Sequence, residues 1–176
     1  KYSYFYKMTE NRDYDYEFNS LSTNLVLWNH DINDQNWDLD SYKQIAIYKT
    51  IEDYWMYSNE LTSKLINYGM FFLMREGIEP IWEDLSNQQG GCWSFKKQDN
   101  EAGKLWEDIS IRIVGETLIE NSTNINGISI CLKRQSTSVI KIWNKDNKEN
   151  SINLLSKDII NKYGTDILYI AHIPEF

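Results

Sequence analysis

From residue 24 onward, short runs of β-branched and aromatic residues alternate with segments whose apolar positions recur at helical spacing. The runs 24–30, 44–49, 68–74, 92–96, 128–134, 139–143 and 167–172 have the length and side chains of strands. Three helices are expected between them. Thr50, with Asp53 three residues on, comes close to a capping box and starts a helix that runs to Leu61. A second helix, 101–114, puts Leu105, Ile109 and Ile113 on one stripe. A third starts after Ser151, buries Ile152, Leu155, Ile159 and Ile160, and stops at Gly164. The polar residues 135–138 read as a hairpin connection. Strands joined by hairpins, with helices gathered on one face, imply an α+β fold with an antiparallel sheet.

Length and composition narrow the picture. A chain of 176 residues is most simply one domain with a full core. Residues 1–18, rich in tyrosine and charge but without periodicity, read as a variable N-terminal arm, and 19–176 as the domain. No apolar run approaches the roughly eighteen residues of a membrane span, so a soluble, cytoplasmic protein is expected. The two cysteines, Cys92 and Cys131, are far apart in sequence and indicate neither a disulfide framework nor a zinc site. Abundant Asn, Ile, Lys and Tyr, with little Ala or Pro, fit an AT-rich coding genome of the kind found in protists or large DNA viruses.

A net charge of −8 argues against wrapping long nucleic acid, which takes many cations against many phosphates. It does not exclude a reader of one terminal nucleotide, which needs only a local basic spot. Lys96, Lys97, Lys133, Arg134, Lys141, Lys145 and Lys148 are available for one. His30 and His172 fit no metal or triad pattern and read as structural, and no nucleophile-elbow, P-loop or zinc-protease motif occurs. Neither a cofactor nor a metal is expected.

The chemistry sits in the run Gly77-Ile78-Glu79-Pro80-Ile81-Trp82-Glu83-Asp84, followed by Gly90-Gly91-Cys92-Trp93. An indole beside a carboxylate combines a stacking surface with a two-oxygen acceptor, a pair able to read guanine. This run closely resembles the signature of the messenger-RNA cap-binding translation initiation factor 4E family. Further matches follow in order: Leu27-Trp28, Trp37, 50–55 with Trp55, Trp106 nine residues before Gly115-Glu116, and Arg134 nine residues before Trp143. All seven tryptophans fall where the family has one, and the resemblance spans residues 19–172.

The resemblance implies a curved, eight-stranded antiparallel sheet, cupped like a hand, with three helices on the convex face. It implies that a 7-methylguanine base stacks between Trp37 and Trp82, that Glu83 accepts from its N1–H and exocyclic amine, and that Trp143 lies near the N7-methyl. Arg134 matches the family's phosphate-binding arginine, with Lys133 beside it. Cys92, Ser136 and Val139 stand where the family usually carries cations, and Asp34, Asp38 and Asp40 crowd the Trp37 loop with negative charge. On the convex face, Ile51, Trp55, Asp108, Ile111 and Leu21 match the seat for a scaffold helix bearing Tyr-x4-Leu-apolar; Ile51 and Trp55 are spaced equally well for core. The implied partners are capped mRNA and a 4G-like scaffold or an inhibitory binding protein, with no membrane, and a monomer in their absence. Cap-binding repression, and an enzyme acting on capped RNA, remain as alternative functions.

Overall fold

The computed structural model describes residues 18–61, 69–133 and 136–172, apart from the side chains of 59–61 and 132–133. Seven strands form one sheet: β1 (Ser20–His30), β2 (Tyr42–Thr50), β3 (Met70–Arg75), β4 (Gly91–Gln98), β5 (Ile125–Lys133), β6 (Thr137–Asn144) and β7 (Ile167–Ala171). Their spatial order is β2-β1-β3-β5-β6-β4-β7, and every pairing is antiparallel. The seven strands read from the sequence are all present. The eighth strand implied by the family resemblance is not found among the described residues. β1 begins four residues earlier than the pattern of apolar positions indicates, because Ser20 pairs with Thr50.

Three helices pack on one face: α1 (Ile51–Leu61), α2 (Asp99–Val114) and α3 (Lys157–Tyr163). Tyr54 of α1, Leu105, Trp106, Ile109 and Ile113 of α2, and Ile159 of α3 share one core with Leu25, Leu27, Leu73, Trp93, Phe95, Ile128, Ile140 and Ile142 from the strands. Alternation along each strand sends the intervening residues to the other face, where Tyr42, Met70, Phe72, Met74, Ile78 and Trp143 form a second, smaller cluster. The start of α1 is a reciprocal cap. Asp53 N–H donates to Thr50 Oγ1 at 3.1 Å, and Thr50 N–H donates to Asp53 Oδ2 at 3.1 Å.

The third helix departs from expectation. Residues 152–154 form a 3-10 turn started by Ser151, whose side chain accepts from Asn153 N–H, and Leu155 is extended. α3 begins only at Lys157. The break comes from tertiary structure: Ser156 N–H donates to Leu118 O at 2.7 Å, which diverts the chain while Leu155 and Ile159 still reach the core.

Two contacts lock the frame. A Cβ on Gly90 would lie 1.8 Å from the Asn144 carbonyl oxygen and one on Gly91 2.5 Å from the Ile170 oxygen, so the paired glycines are demanded by close backbone approach. At the same end of the sheet, the buried Arg75 donates through Nε to Ile125 O at 2.7 Å and through both terminal nitrogens to Glu116 at 2.9 and 2.7 Å. This two-pronged bond ties the end of β3 to the turn after α2 and the start of β5. It is also the main reason the Glu116 carboxyl is held down at about 2; partial burial opposes the shift and Ser22 adds to it.

A depressed carboxyl stabilises the fold above its unfolded pKa of roughly 4.3, and that contribution is lost as pH falls through the folded value. Wild type should therefore lose thermal stability between about pH 5 and pH 2.5 more steeply than Glu116→Gln. Melting curves across that range check this, and parallel profiles for the two proteins would contradict it.

Candidate functional site

Burial divides the tryptophans. Trp93 and Trp106 are in the convex-side core, Trp143 is buried in the smaller cluster, and Trp28 packs half-buried against it. Trp37, Trp82 and Trp55 instead keep 52%, 45% and 43% of their surface exposed. Three large apolar rings held in water are costly to leave uncovered, so they are the first candidates for contact with something else.

Trp37 stacks over the sheet face opposite the helices, and Trp82 stands on the loop whose Ile78 and Ile81 pack against the cluster on that face. A chain of rings crosses that face, with Trp37 stacked on His30 at 4.5 Å and His30 tilted on Tyr42 at 4.7 Å. Tyr42 meets Phe72 at 5.3 Å, Phe72 meets Trp143 at 6.3 Å, and Trp143 meets His172 at 4.9 Å. Trp143 is anchored by its Nε1–H, which donates to Ser129 Oγ at 2.9 Å. Tyr42 also joins the two loops. Its hydroxyl pKa is pushed up to about 12, mainly by burial and further by the nearby charge of Glu83. Tyr42, not singled out from sequence, and His30, read there as structural, thus lie between the Trp37 wall and the charge of Glu83.

That loop is built rigidly from its own polar side chains. Asp84 accepts Glu79 N–H at 3.0 Å through one carboxylate oxygen and Ser86 N–H at 2.7 Å through the other. The fully buried Asn87 donates to the carbonyls of Glu79 and Ile81, and Asn126 clamps Ser86 O and Asn87 Oδ1 from β5. His172 Nδ1 donates to Asn87 O at 3.0 Å, fastening the loop beside Trp143. Burial is the main reason the His172 pKa lies below its ordinary value, with Lys141 adding to the shift and the bond to Asn87 opposing it. Glu83 is exposed, and its carboxylate has neither a hydrogen bond nor an ion pair among the described residues.

The acidic loop around Trp37 explains its own charge. Asp31 Oδ1 accepts Asn33 N–H, Asp34 Oδ1 accepts Asn36 N–H, and Asp40 Oδ1 accepts the Asn36 side-chain amide, at 2.9, 2.9 and 3.0 Å. The first two are Asx turns, in which a short polar side chain substitutes for backbone partners, and the third is a side chain–side chain bond across the loop. Three of the four aspartates therefore build the loop.

Basic residues reach the concave face by alternation. Lys141 is half-buried, between Ser94 and Ser129 in register and two residues from Trp143. Cys92 and His172 both feel its charge. The exposed Lys96 pairs with Val139 one step further along. Neither lysine has an ion-pair partner among the described residues. Arg134 lies outside the described residues, as does the side chain of Lys133.

On the convex side, Ile51 and Trp55 are exposed on α1, so the core alternative for them is set aside. Tyr54 O–H meets Ser110 Oγ at 2.9 Å, bracing α1 against α2. Leu21 is half-buried against the main core. Asp108 is less free than its sequence position implies: it takes Tyr163 O–H at 2.6 Å, an ion pair with Lys162 and another with Lys104 at 3.3 Å. Burial works against its charge, but these partners prevail and hold its carboxyl below the ordinary aspartate range. With Ile111, it lines a groove of about 370 Å³ running towards Arg112, Asp158 and Lys162.

The family pattern described as Eukaryotic initiation factor 4E matches residues 11–172. The chain is 27% identical over 159 residues to the eukaryotic translation initiation factor NCBP of Oryza sativa subsp. japonica, covering 87% of this chain and 69% of the relative. It is 30% identical over 129 residues to eukaryotic translation initiation factor 4E-3 of Caenorhabditis elegans, covering 68% of this chain and 51% of that one. The solved structure of C. elegans eIF4E-3, in complex with the 4E-binding protein Mextli and a cap analog, superposes with a TM-score of 0.77 at 26% identity, covering 89% of this chain and 94% of that one. A match across most of the chain, the shared sheet-and-helix architecture and the relatives in two kingdoms agree, and the chain belongs to the eukaryotic initiation factor 4E family.

Proposed function

We propose that this protein binds the 7-methylguanosine cap of mRNA on its concave face and carries it to a translation scaffold docked on its convex face. The observation that carries the reading is the pair of exposed indoles, Trp37 and Trp82, the first stacked on His30 next to Tyr42 and the second beside Glu83, whose carboxylate has no partner among the described residues. A methylated guanine bears a delocalised positive charge. Between two indoles it gains stacking worth roughly 1–3 kcal/mol per base, together with cation–π attraction. Glu83 accepts the N1–H and exocyclic amine, Trp82 N–H donates to O6, and Trp143 backs the methyl group. Adenine has no such donors on that edge. The cap analog bound to C. elegans eIF4E-3 supports this assignment.

The reading is of a cytoplasmic binding module and not of an enzyme. Glu83 and Asp84 are adjacent carboxylates, but both oxygens of Asp84 accept from loop N–H groups, which fits a structural role for it. For the phosphates, Lys141 and Lys96 are cations on the concave face without an ion-pair partner among the described residues, and they take over from the positions occupied by Cys92, Ser136 and Val139. Arg134 joins them on its sequence match alone, and Lys133 as its neighbour in sequence. The partner surface comprises Leu21, Ile51, Trp55 and Ile111. Asp108 contributes less, because Lys162 and Tyr163 already hold it. Mextli on C. elegans eIF4E-3 supports a protein partner of this kind.

Trp37→Ala and Trp82→Ala should each weaken binding of 7-methyl-GDP by roughly 1–3 kcal/mol with melting temperatures preserved. Normal binding by either folded variant would refute the slot. Trp55→Ala should leave cap affinity unchanged and abolish capture of a Tyr-x4-Leu-apolar peptide, measured by calorimetry. An unfolded Trp55→Ala protein would show the residue to be structural. In a salt series with 7-methyl-GTP, Lys141→Ala should flatten the logarithmic slope by about one phosphate contact. An unchanged slope would remove Lys141 from the phosphate site.

A further inference from the structure

We propose that His30 is a positioning residue for the cap slot, fixing Trp37 in its stacking orientation before any ligand arrives; this rests on the reading of the concave face given above. His30 ends β1 and is fully buried, while Trp37 on the loop that follows is half exposed. The two rings are stacked 4.5 Å apart and within 5° of parallel. One face of the indole is thus covered by the imidazole, and the other is left for a second flat ring. On its far side His30 is braced by Tyr42, tilted at 54°.

A hydrogen bond adds to the stack. His30 Nε2 lies 2.8 Å from the carbonyl oxygen of Asn36, the residue immediately before Trp37. A carbonyl can only accept, so Nε2 carries the proton and donates. Asn36 is then held at four points: its N–H by Asp34, its side-chain amide by Asp40, its side-chain oxygen by Asp38 N–H, and its carbonyl by His30. The backbone leading into Trp37 and the plane of its ring are therefore both set by contacts within the free protein.

The imidazole has a cost that a phenyl ring would avoid. His30 Nδ1 is buried and has no hydrogen-bond partner among the described residues. Phenylalanine would stack without burying an unpaired nitrogen, so the distinctive contribution of histidine is the single bond to Asn36. A loop tryptophan that must be ordered on binding loses affinity to the immobilisation of its side chain. His30 moves that ordering into folding. Because cation–π attraction depends on presenting the ring face, the loss without His30 should fall hardest on the methylated base.

The test is an indole-fluorescence titration with 7-methyl-GDP and with GDP on wild type, His30→Leu, His30→Phe and both single variants combined with Trp37→Ala. Leucine keeps apolar volume at the site but removes the ring and the N–H; phenylalanine restores the stack alone. His30→Leu should bind 7-methyl-GDP about three- to tenfold more weakly and lose part of its preference for the methylated form. His30→Phe should recover most of that loss. With Trp37→Ala in place, neither change at His30 should have a further effect, since the two residues act as one unit. Equal losses with and without Trp37, or His30→Leu binding like wild type, would overturn the proposal. A wild-type protein that fails to bind 7-methyl-GDP would overturn the cap reading and this inference with it.

Discussion

Strand β6 carries Ile140 and Ile142 into the apolar core and Val139, Lys141 and Trp143 to the opposite face, so a slip of one residue against β4 or β5 would exchange the two sets. Asn144 prevents it. This fully buried side chain accepts from Gly91 N–H and Tyr169 O–H, each at 2.9 Å, and donates to the carbonyls of Asp146 and Glu149. It thereby joins β4, β6 and β7 where Gly90 presses against its own carbonyl. The glycine pair of the signature motif thus acts by fixing the strand on which Trp143 and Lys141 stand.

The same economy governs the acidic surface. A protein of net charge −8 is an unpromising host for a polyphosphate, yet many of its carboxylates are turned inward on the backbone. Asp84, Asp31, Asp34 and Asp40 stiffen the two loops that bear the exposed indoles. Glu83 has no partner among the described residues and stands near Tyr42, which fits the role proposed for it toward a methylated guanine. Preorganised loops lower the ordering cost of binding, and on the proposed reading this offsets part of what sparse phosphate cations withhold.

Much of this was legible from residue pattern. Alternation and β-branched runs located all seven strands, and the Thr50/Asp53 pair marked the start of α1 correctly. The third helix was misjudged because the bond that divides it, from Ser156 to Leu118, joins residues far apart in sequence. The family match that puts Asp108 in the scaffold seat carries no sign that Lys162 and Tyr163 reach it from another helix. His30 passed for a satisfied structural histidine. Its place on the same face as Trp28, two residues earlier in β1, was the available signal, but the stack on Trp37 depends on how the intervening loop folds back.

The central claim is that two indoles and one carboxylate recognise a guanine made cationic by N7 methylation. Its most direct test is a pair of fluorescence titrations of the unmodified protein, one with 7-methyl-GDP and one with GDP, under identical salt and pH. The account predicts strong quenching and tight binding of the methylated nucleotide, with GDP weaker by at least tenfold, about 1.4 kcal/mol, the scale of a desolvated cation–π contact. Equal affinity for the two nucleotides would contradict it, because stacking and hydrogen bonding alone would then account for all the binding.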